Sequence, residues 1–245
     1  MTPHAIVLDQ IVCGMDASWS GLDVSLRVAI GEYLAIIGPS RSGKSVLIEL
    51  CAGLVSPLSG RAKVLGSEWA SLSATDHLEL RLRIGTVLQQ PGLLSNMTVY
   101  NNVSLPFRYH RAMVSEKERH ERVMDHLEAL HLTHVRDQFP AQLTAGESRC
   151  AAVARAMMLD PELLLLDDAV SGLDAHMVGH VWSYLCHCRT KYPLTILATL
   201  RGPSPLFEQA DRIAILREGR LEAIGDRESV LAGASPGMKA YLAGC

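Results

Sequence analysis

The chain has 245 residues, 48% of them hydrophobic and 20% charged, which is enough apolar material for one large domain or a core with a subdomain. A net charge of −3 offers no basic footprint, so nucleic acid is not an expected partner. The opening Met1-Thr2-Pro3-His4 has no basic and apolar leader pattern, and no apolar run approaches the ~20 residues of a bilayer span; work at a membrane would need spans on another chain.

In chain order, Leu34-Ala35-Ile36-Ile37 is a short apolar run ending at Gly38, the pattern of a buried strand. A glycine-punctuated loop follows, and then residues 46–54 have helical character. Residues 85–88 form another short apolar strand. Ser115 and Glu118 frame a capping box, and Val123, Leu127 and Leu130 recur at helical spacing, so 115–131 is expected to be an amphipathic helix. Leu163-Leu164-Leu165-Leu166 is apolar on both faces, as in a central parallel strand. Two more strands are expected at 194–200 and 212–216. Strands alternating with helices predict an α/β fold with a mostly parallel sheet, and the strand-poor stretch 91–150 predicts a helical insertion. The six cysteines form no C-x-x-C pair and read as reduced thiols. His176 and His180, four apart on a helix face without a nearby carboxylate, read as surface residues and not metal ligands.

The segment Gly38-Pro39-Ser40-Arg41-Ser42-Gly43-Lys44-Ser45 fits G-x-x-x-x-G-K-[ST] in full. Its glycines let backbone N–H groups approach phosphates, Lys44 brings a point charge to the β- and γ-phosphates, and the Ser45 hydroxyl is an oxygen ligand for Mg²⁺. The helix that follows aims its positive end at the anion. ATP and Mg²⁺ are therefore the expected ligands. Asp167 and Asp168 close the Leu163–Leu166 strand, at the carboxyl edge where α/β sheets place ligand groups. Asp167 is placed to hold Mg²⁺ with Ser45, and Asp168 to polarise an attacking water.

Further segments fall in the order of the ABC ATPases, which the chain resembles from about residue 5 to residue 243. Gln89 matches the Q-loop glutamine, and Leu143-Thr144-Ala145-Gly146-Glu147 lies where the signature belongs. Ala154-Arg155-Ala156 and Asp160-Pro161 follow, and Ser171-Gly172-Leu173-Asp174 matches the D-loop. Within that family the chain looks most like the ATPase subunit of MCE-type (Mla-like) phospholipid transporters. The stretches that carry this finer likeness are Gly85-Thr86-Val87-Leu88-Gln89, Leu93-Leu94-Ser95-Asn96-Met97-Thr98-Val99-Tyr100-Asn101-Asn102-Val103, and the tail Ala234-Ser235-Pro236-Gly237-Met238-Lys239-Ala240-Tyr241-Leu242-Ala243-Gly244. The Q-loop stretch is shared with FtsE-like and amino-acid-importer ATPases.

The resemblance implies a P-loop ATPase core at 1–90 and 151–225 with an N-terminal antiparallel β region. It also implies a helical subdomain at 91–150 with the signature at its end, and a helical tail at 226–245. It implies a catalytic and metal-facing role for Gln89. Two ATPase subunits, expected as a homodimer, would sandwich nucleotide between one chain's P-loop and the other's Thr144, Ala145, Gly146 and Glu147. The pair would sit peripherally on the cytoplasmic face of the inner membrane, against permease subunits that dock beside the segment after Gln89.

Four features depart from the family pattern. Asp168 stands where the catalytic glutamate is expected, and its carboxylate falls about 1.5 Å short; a misplacement of about 1 Å can cost ~100-fold in rate. Leu200 stands at the switch histidine and can donate no hydrogen bond. In the signature, Ala145 adds a methyl and Glu147 a negative charge where a phosphate is to approach. The adenine-stacking aromatic is replaced by Cys13-Gly14-Met15, with Trp19 a candidate substitute. Binding with slow hydrolysis is the expectation, and Asp168→Glu with Leu200→His the expected repair. The alternative is a degenerate, non-hydrolysing module that dimerises on ATP in a regulatory or structural role.

Overall fold

The computed structural model describes residues 3–14, 21–111, 113–202 and 204–243. Its elements are β1 (His4–Cys13), β2 (Leu22–Ala29), β3 (Tyr33–Ile37), α1 (Lys44–Cys51), β4 (Ser59–Val64), β5 (Ser67–Glu68), α2 (Ala74–Leu82), β6 (Ile84–Val87), α3 (Val99–His110), α4 (Glu116–Ala129), α5 (Ala145–Met157), β7 (Leu163–Asp167), α6 (Ala175–Lys191), β8 (Thr195–Leu200), α7 (Pro205–Glu208), β9 (Arg212–Arg217), β10 (Arg220–Gly225), α8 (Arg227–Gly233) and α9 (Pro236–Ala243). The candidate stacking residue Trp19 lies outside the described residues.

Two sheets organise the chain. One is antiparallel, in the order β2-β1-β4-β5. The other runs β10-β9-β3-β8-β7-β6, parallel from β9 to β6 with β10 antiparallel at its edge. The central strands β3, β7 and β8 are buried along their whole length, which is why they read as unbroken apolar runs and not as alternation.

Strand parity assigns each side chain to one of two cores. Leu34 and Ile36 of β3, Leu163 and Leu165 of β7 and Leu197 of β8 pack with Leu47, Ile48 and Leu50 of α1 and with the antiparallel sheet. Their neighbours Ala35, Ile37, Leu164, Leu166, Ala198 and Leu200 pack on the other side with the helical region, including Val103, Leu127, Val153 and Leu185. The stretch 91–150 holds α3, α4 and the start of α5, which runs across position 150. Ser115 caps α4 by accepting the Glu118 N–H at 3.2 Å.

Leu200 is therefore a core residue, 2% exposed. The expectation that it occupies a switch position facing the nucleotide is corrected here. A histidine at this site would bury an imidazole among apolar side chains. Leu200→His is expected to destabilise the protein by about 2 kcal/mol or more, measured by urea denaturation, without raising turnover.

Candidate functional site

Register brings the carboxyl ends of three strands together. Ile37 of β3 lies opposite Leu200 of β8, and Asp167 of β7 lies opposite Thr199 of β8. Gly38, Arg201 and Asp168, the next residues of each strand, consequently leave the sheet side by side at its carboxyl edge.

Between β3 and α1 the loop 38–45 wraps over the start of α1. Gly38 admits no side chain, because a Cβ there would fall 2.0 Å from the Leu216 carbonyl oxygen. Arg41 has φ 63° and Gly43 φ 101°, both left-handed. Glycine adopts this region freely, as at position 43, whereas Arg41 holds it against the steric preference of a residue with a side chain. Lys44 Nζ donates to the carbonyls of Gly38 at 2.5 Å and Pro39 at 2.9 Å and to Ser42 Oγ at 3.3 Å. Burial lowers the Lys44 pKa, while Asp168 and Asp167 act against that shift and Arg201 adds to it.

Opposite the loop, the Asp167 carboxylate accepts the Thr199 hydroxyl at 2.6 Å, and the Asp168 N–H reaches Thr199 Oγ1 at 3.1 Å. Asp168 has φ 51°, a left-handed turn that aspartate tolerates better than most residues. Its carbonyl accepts Arg149 at 2.9 Å, and its carboxylate accepts Arg201 Nε at 2.7 Å. The Asp168 side chain is 8% exposed and that of Arg201 60%.

These groups line one cavity of about 400 Å³, formed by Ser40, Arg41, Ser42, Gly43, Lys44, Ser45, Val46, Gln89, Asp167, Asp168 and Arg201. The structure thus brings together the loop, both aspartates and Gln89. Gly38 and Pro39 contribute through the carbonyls that hold Lys44. Ser45, Asp167 and Gln89 present hard oxygen donors to the same space, a set that suits Mg²⁺ with several waters retained. Among the described residues no cluster of three or more His, Cys, Asp or Glu side chains is arranged to hold a metal ion. His131 stacks on His180 at 3.9 Å and His176 lies 4.1 Å from it.

Thr144, Ala145, Gly146 and Glu147 do not line the cavity; they form the start of α5. Thr144 is its N-cap, its hydroxyl accepting the Glu147 N–H at 3.2 Å. Glu147 reaches back to the Thr144 N–H and hydroxyl, both at 2.8 Å, and lies 3.1 Å from His134 Nε2. The sequence suggests Glu147 as a loose negative charge; the structure shows the carboxylate folded onto the helix end that it caps. Gly146 is buried, and a Cβ there would lie 2.6 Å from the Met177 side chain.

Two contributors escaped the sequence analysis. Arg201 was passed over in favour of Leu200, although parity assigns it: Leu197, Thr199 and position 201 share the α1 side of β8. Tyr241 of α9 donates toward the Gly38 carbonyl at 3.2 Å and also contacts the Arg201 carbonyl, tying the tail to both loops. No local pattern in the sequence announces that contact.

A nucleotide-sized cavity at the carboxyl edge of a parallel sheet, with a glycine-framed lysine loop facing a strand-terminal aspartate, defines a P-loop nucleotide-binding protein. A family model described as ABC transporter matches residues 22–171, and the chain belongs to that family. It is 37% identical over 86% of its length to a methionine import ATP-binding protein of Rhodopseudomonas palustris, covering 56% of that protein. It is 32% identical over 85% of its length to a sulfate/thiosulfate import ATP-binding protein of Photorhabdus laumondii, covering 57% of it. The chain thus spans little more than half the length of these curated relatives. A dimeric bacterial ABC transporter cassette superposes with a TM-score of 0.82 at 25% identity, over 90% of this chain and 98% of its own. A Clostridium perfringens cassette of a cbiONQ transporter gives 0.80, also at 25%, over 94% and 91%.

The capping box has a pH signature. Burial pushes the Glu147 carboxyl up, but hydrogen bonds from the Thr144 backbone and hydroxyl and from His134 outweigh it and leave the group below its ordinary range. A carboxyl depressed on folding stabilises fully above its unfolded pKa of about 4.3, and that contribution fades as pH falls through the lower folded value. Thr144→Ala is expected to cost about 1 kcal/mol at pH 7 in urea denaturation, with the gap to the unsubstituted protein narrowing below about pH 4.

Proposed function

We propose that this chain is the ATP-binding subunit of an ABC transport complex, that it holds Mg-ATP in the Lys44–Asp167 cavity, and that it hydrolyses ATP slowly. The observation that carries this is the convergence of the loop 38–45, Gln89 and Asp167 on one cavity. Loop N–H groups and the start of α1 would take the first phosphates, with Lys44 leaving its carbonyl partners to reach the β- and γ-phosphates. Ser45 and Asp167, with Gln89 beside them, would hold Mg²⁺, which when bound neutralises charge on the β- and γ-oxygens. Asp168 is a weak general base for the attacking water: it is one methylene shorter than glutamate, and its carboxylate is engaged by Arg201.

The helical α5 start lies outside its own chain's cavity, which supports a composite site completed by a second copy. In that dimer the Glu147 carboxylate occupies the helix end that a partner's nucleotide would approach, a second brake on turnover. A groove of about 370 Å³ beside Gln90 and Pro91, with Leu54 and Leu88 exposed at its rim, supports docking of a membrane partner next to the segment after Gln89. No helix among the described residues is long and apolar enough to cross a membrane, so such a partner would carry the spans and this chain would sit peripherally on the cytoplasmic side. The phospholipid assignment rests on the two stretches 85–103 and 234–244 alone. The relatives' names spread over methionine and sulfate import, so the proposal stands at the level of the energising subunit. The same Asp168–Arg201 pair and Glu147 cap favour the second reading, a non-hydrolysing ATP-dependent dimerisation module.

The test is Mg-ATP binding by the purified full chain, with Lys44→Ala beside it. The proposal expects saturable binding that Lys44→Ala weakens at least ~10-fold, because a charge-assisted phosphate contact is removed. Absence of binding, or binding indifferent to Lys44, would sink it. Turnover by the chain with its co-purifying permease then separates the two readings: slow hydrolysis favours the energising subunit, and none favours the module.

A further inference from the structure

A second cleft, of about 370 Å³, lies between α4 and α6 and shares no lining residue with the nucleotide cavity. Arg122, Asp125, His126 and Ala129 line it from α4, and Tyr184, His187, Cys188 and Lys191 from α6. Both sets have the spacing i, i+3, i+4, i+7, so each helix turns one face to the cleft.

Its floor is polar and incompletely satisfied. The Tyr184 hydroxyl and His126 Nδ1 lie 2.6 Å apart and join the two helices. Burial lowers the His126 pKa to about 4, and the nearby Arg122 adds to the shift, so the imidazole is neutral near neutral pH. Its Nε2 has no hydrogen-bond partner among the described residues. The Tyr192 hydroxyl, which also lines the cleft, is buried without a hydrogen-bond partner, the weak influence of the Cys188 thiol apart. A buried hydroxyl left unpaired is costly, and folded proteins satisfy such groups with protein, water or ligand.

The walls carry charges of opposite sign. Asp125 and Glu128 stand on α4, and Lys191 stands on α6 with His187 one turn before it. Asp125, Glu128 and Lys191 form no ion pair among the described residues, although their helices face each other. Arg122, by contrast, is already closed on Asp160, and its Nε donates to the Met158 carbonyl at 3.0 Å. Carboxylates on one wall and an ammonium on the other, held apart over an unpaired hydroxyl, are complementary to a small molecule that bears both charges.

We propose that the α4–α6 cleft binds a small zwitterion of the α-amino-acid class, its ammonium toward Asp125 and Glu128, its carboxylate toward Lys191, with the Tyr192 hydroxyl bonded to it from the floor. Such an occupant ties α4 to α6, the helix that follows the β7 edge bearing Asp167 and Asp168, and so has the placement of a regulatory ligand. The site stands whether or not the other cavity holds nucleotide.

The test is calorimetric titration of the purified full-length chain with each of the protein L-amino acids, free in solution, with thermal denaturation beside it. At least one is expected to bind with a Kd of about 1 mM or lower and to raise Tm. Lys191→Ala and Glu128→Gln are each expected to weaken it about fivefold or more. Tyr192→Phe is expected to leave the free chain as stable or more so, since an unpaired buried hydroxyl is removed, while weakening the ligand about three- to tenfold. The same molecule without its carboxylate, or without its ammonium, is expected to bind at least about fivefold more weakly. Failure of every amino acid to bind at about 1 mM would overturn the proposal and leave a cleft that holds water only. Binding that Lys191→Ala and Tyr192→Phe leave unchanged, or that the amine or the acid alone reproduces, would overturn it as well.

Discussion

The register across β3, β8 and β7 is the constraint on which the site depends. Parallel pairing of Ile37 with Leu200 and of Asp167 with Thr199 sets three strand ends level. A slip of one residue would reverse the faces of β8, sending Thr199 toward the helical region and Leu200 toward α1. The apolar character of both faces does not resist such a slip by itself. The polar link does: the Thr199 hydroxyl donates to Asp167 and accepts from the Asp168 N–H, and no other residue of β8 offers that pairing at this edge.

From that edge the cavity follows by close approach of backbone. Gly38 passes against the Leu216 carbonyl, and Gly219 of the following turn donates to the Ser42 carbonyl at 3.0 Å, so the β9–β10 turn braces the phosphate loop from outside. Tyr241 braces it from the tail. The loop is thereby held by two separate parts of the chain, a rigid frame of the kind that preorganised phosphate binding needs. Two local charge arrangements bear on the site: Arg201 engages the Asp168 carboxylate, and the Glu147 carboxylate caps the start of α5.

Much of this was legible in the sequence, for identifiable reasons. Buried parallel strands announce themselves as Leu-rich runs, so β3 and β7 were located to within a residue. The loop 38–45 has fixed spacing because the chemistry fixes it, and Asp167 follows from its position at a strand end. What escaped was three-dimensional. Leu200 was matched by position along the chain to a residue that contacts phosphate, whereas alternation on β8 turns it into the core and brings Arg201 back to the cavity. Glu147 was read as a bare charge because its effect was judged by residue type; the Thr144–Glu147 spacing is itself that of a capping box, and recognising it would have placed the carboxylate. Tyr241 reaches the loop over about two hundred residues of sequence, and only the folded chain shows that contact.

The central claim is that the cavity holds Mg-ATP but converts it slowly. The direct measurement is to load the purified full-length chain with Mg-ATP, separate the protein from free nucleotide, quench with acid at timed intervals and determine the ATP and ADP that were bound. The account predicts that bound nucleotide remains largely ATP over minutes, far below the turnover of about 1 s⁻¹ or more usual for enzymes. Conversion to ADP within seconds, or recovery of no bound nucleotide at the earliest time, would contradict it.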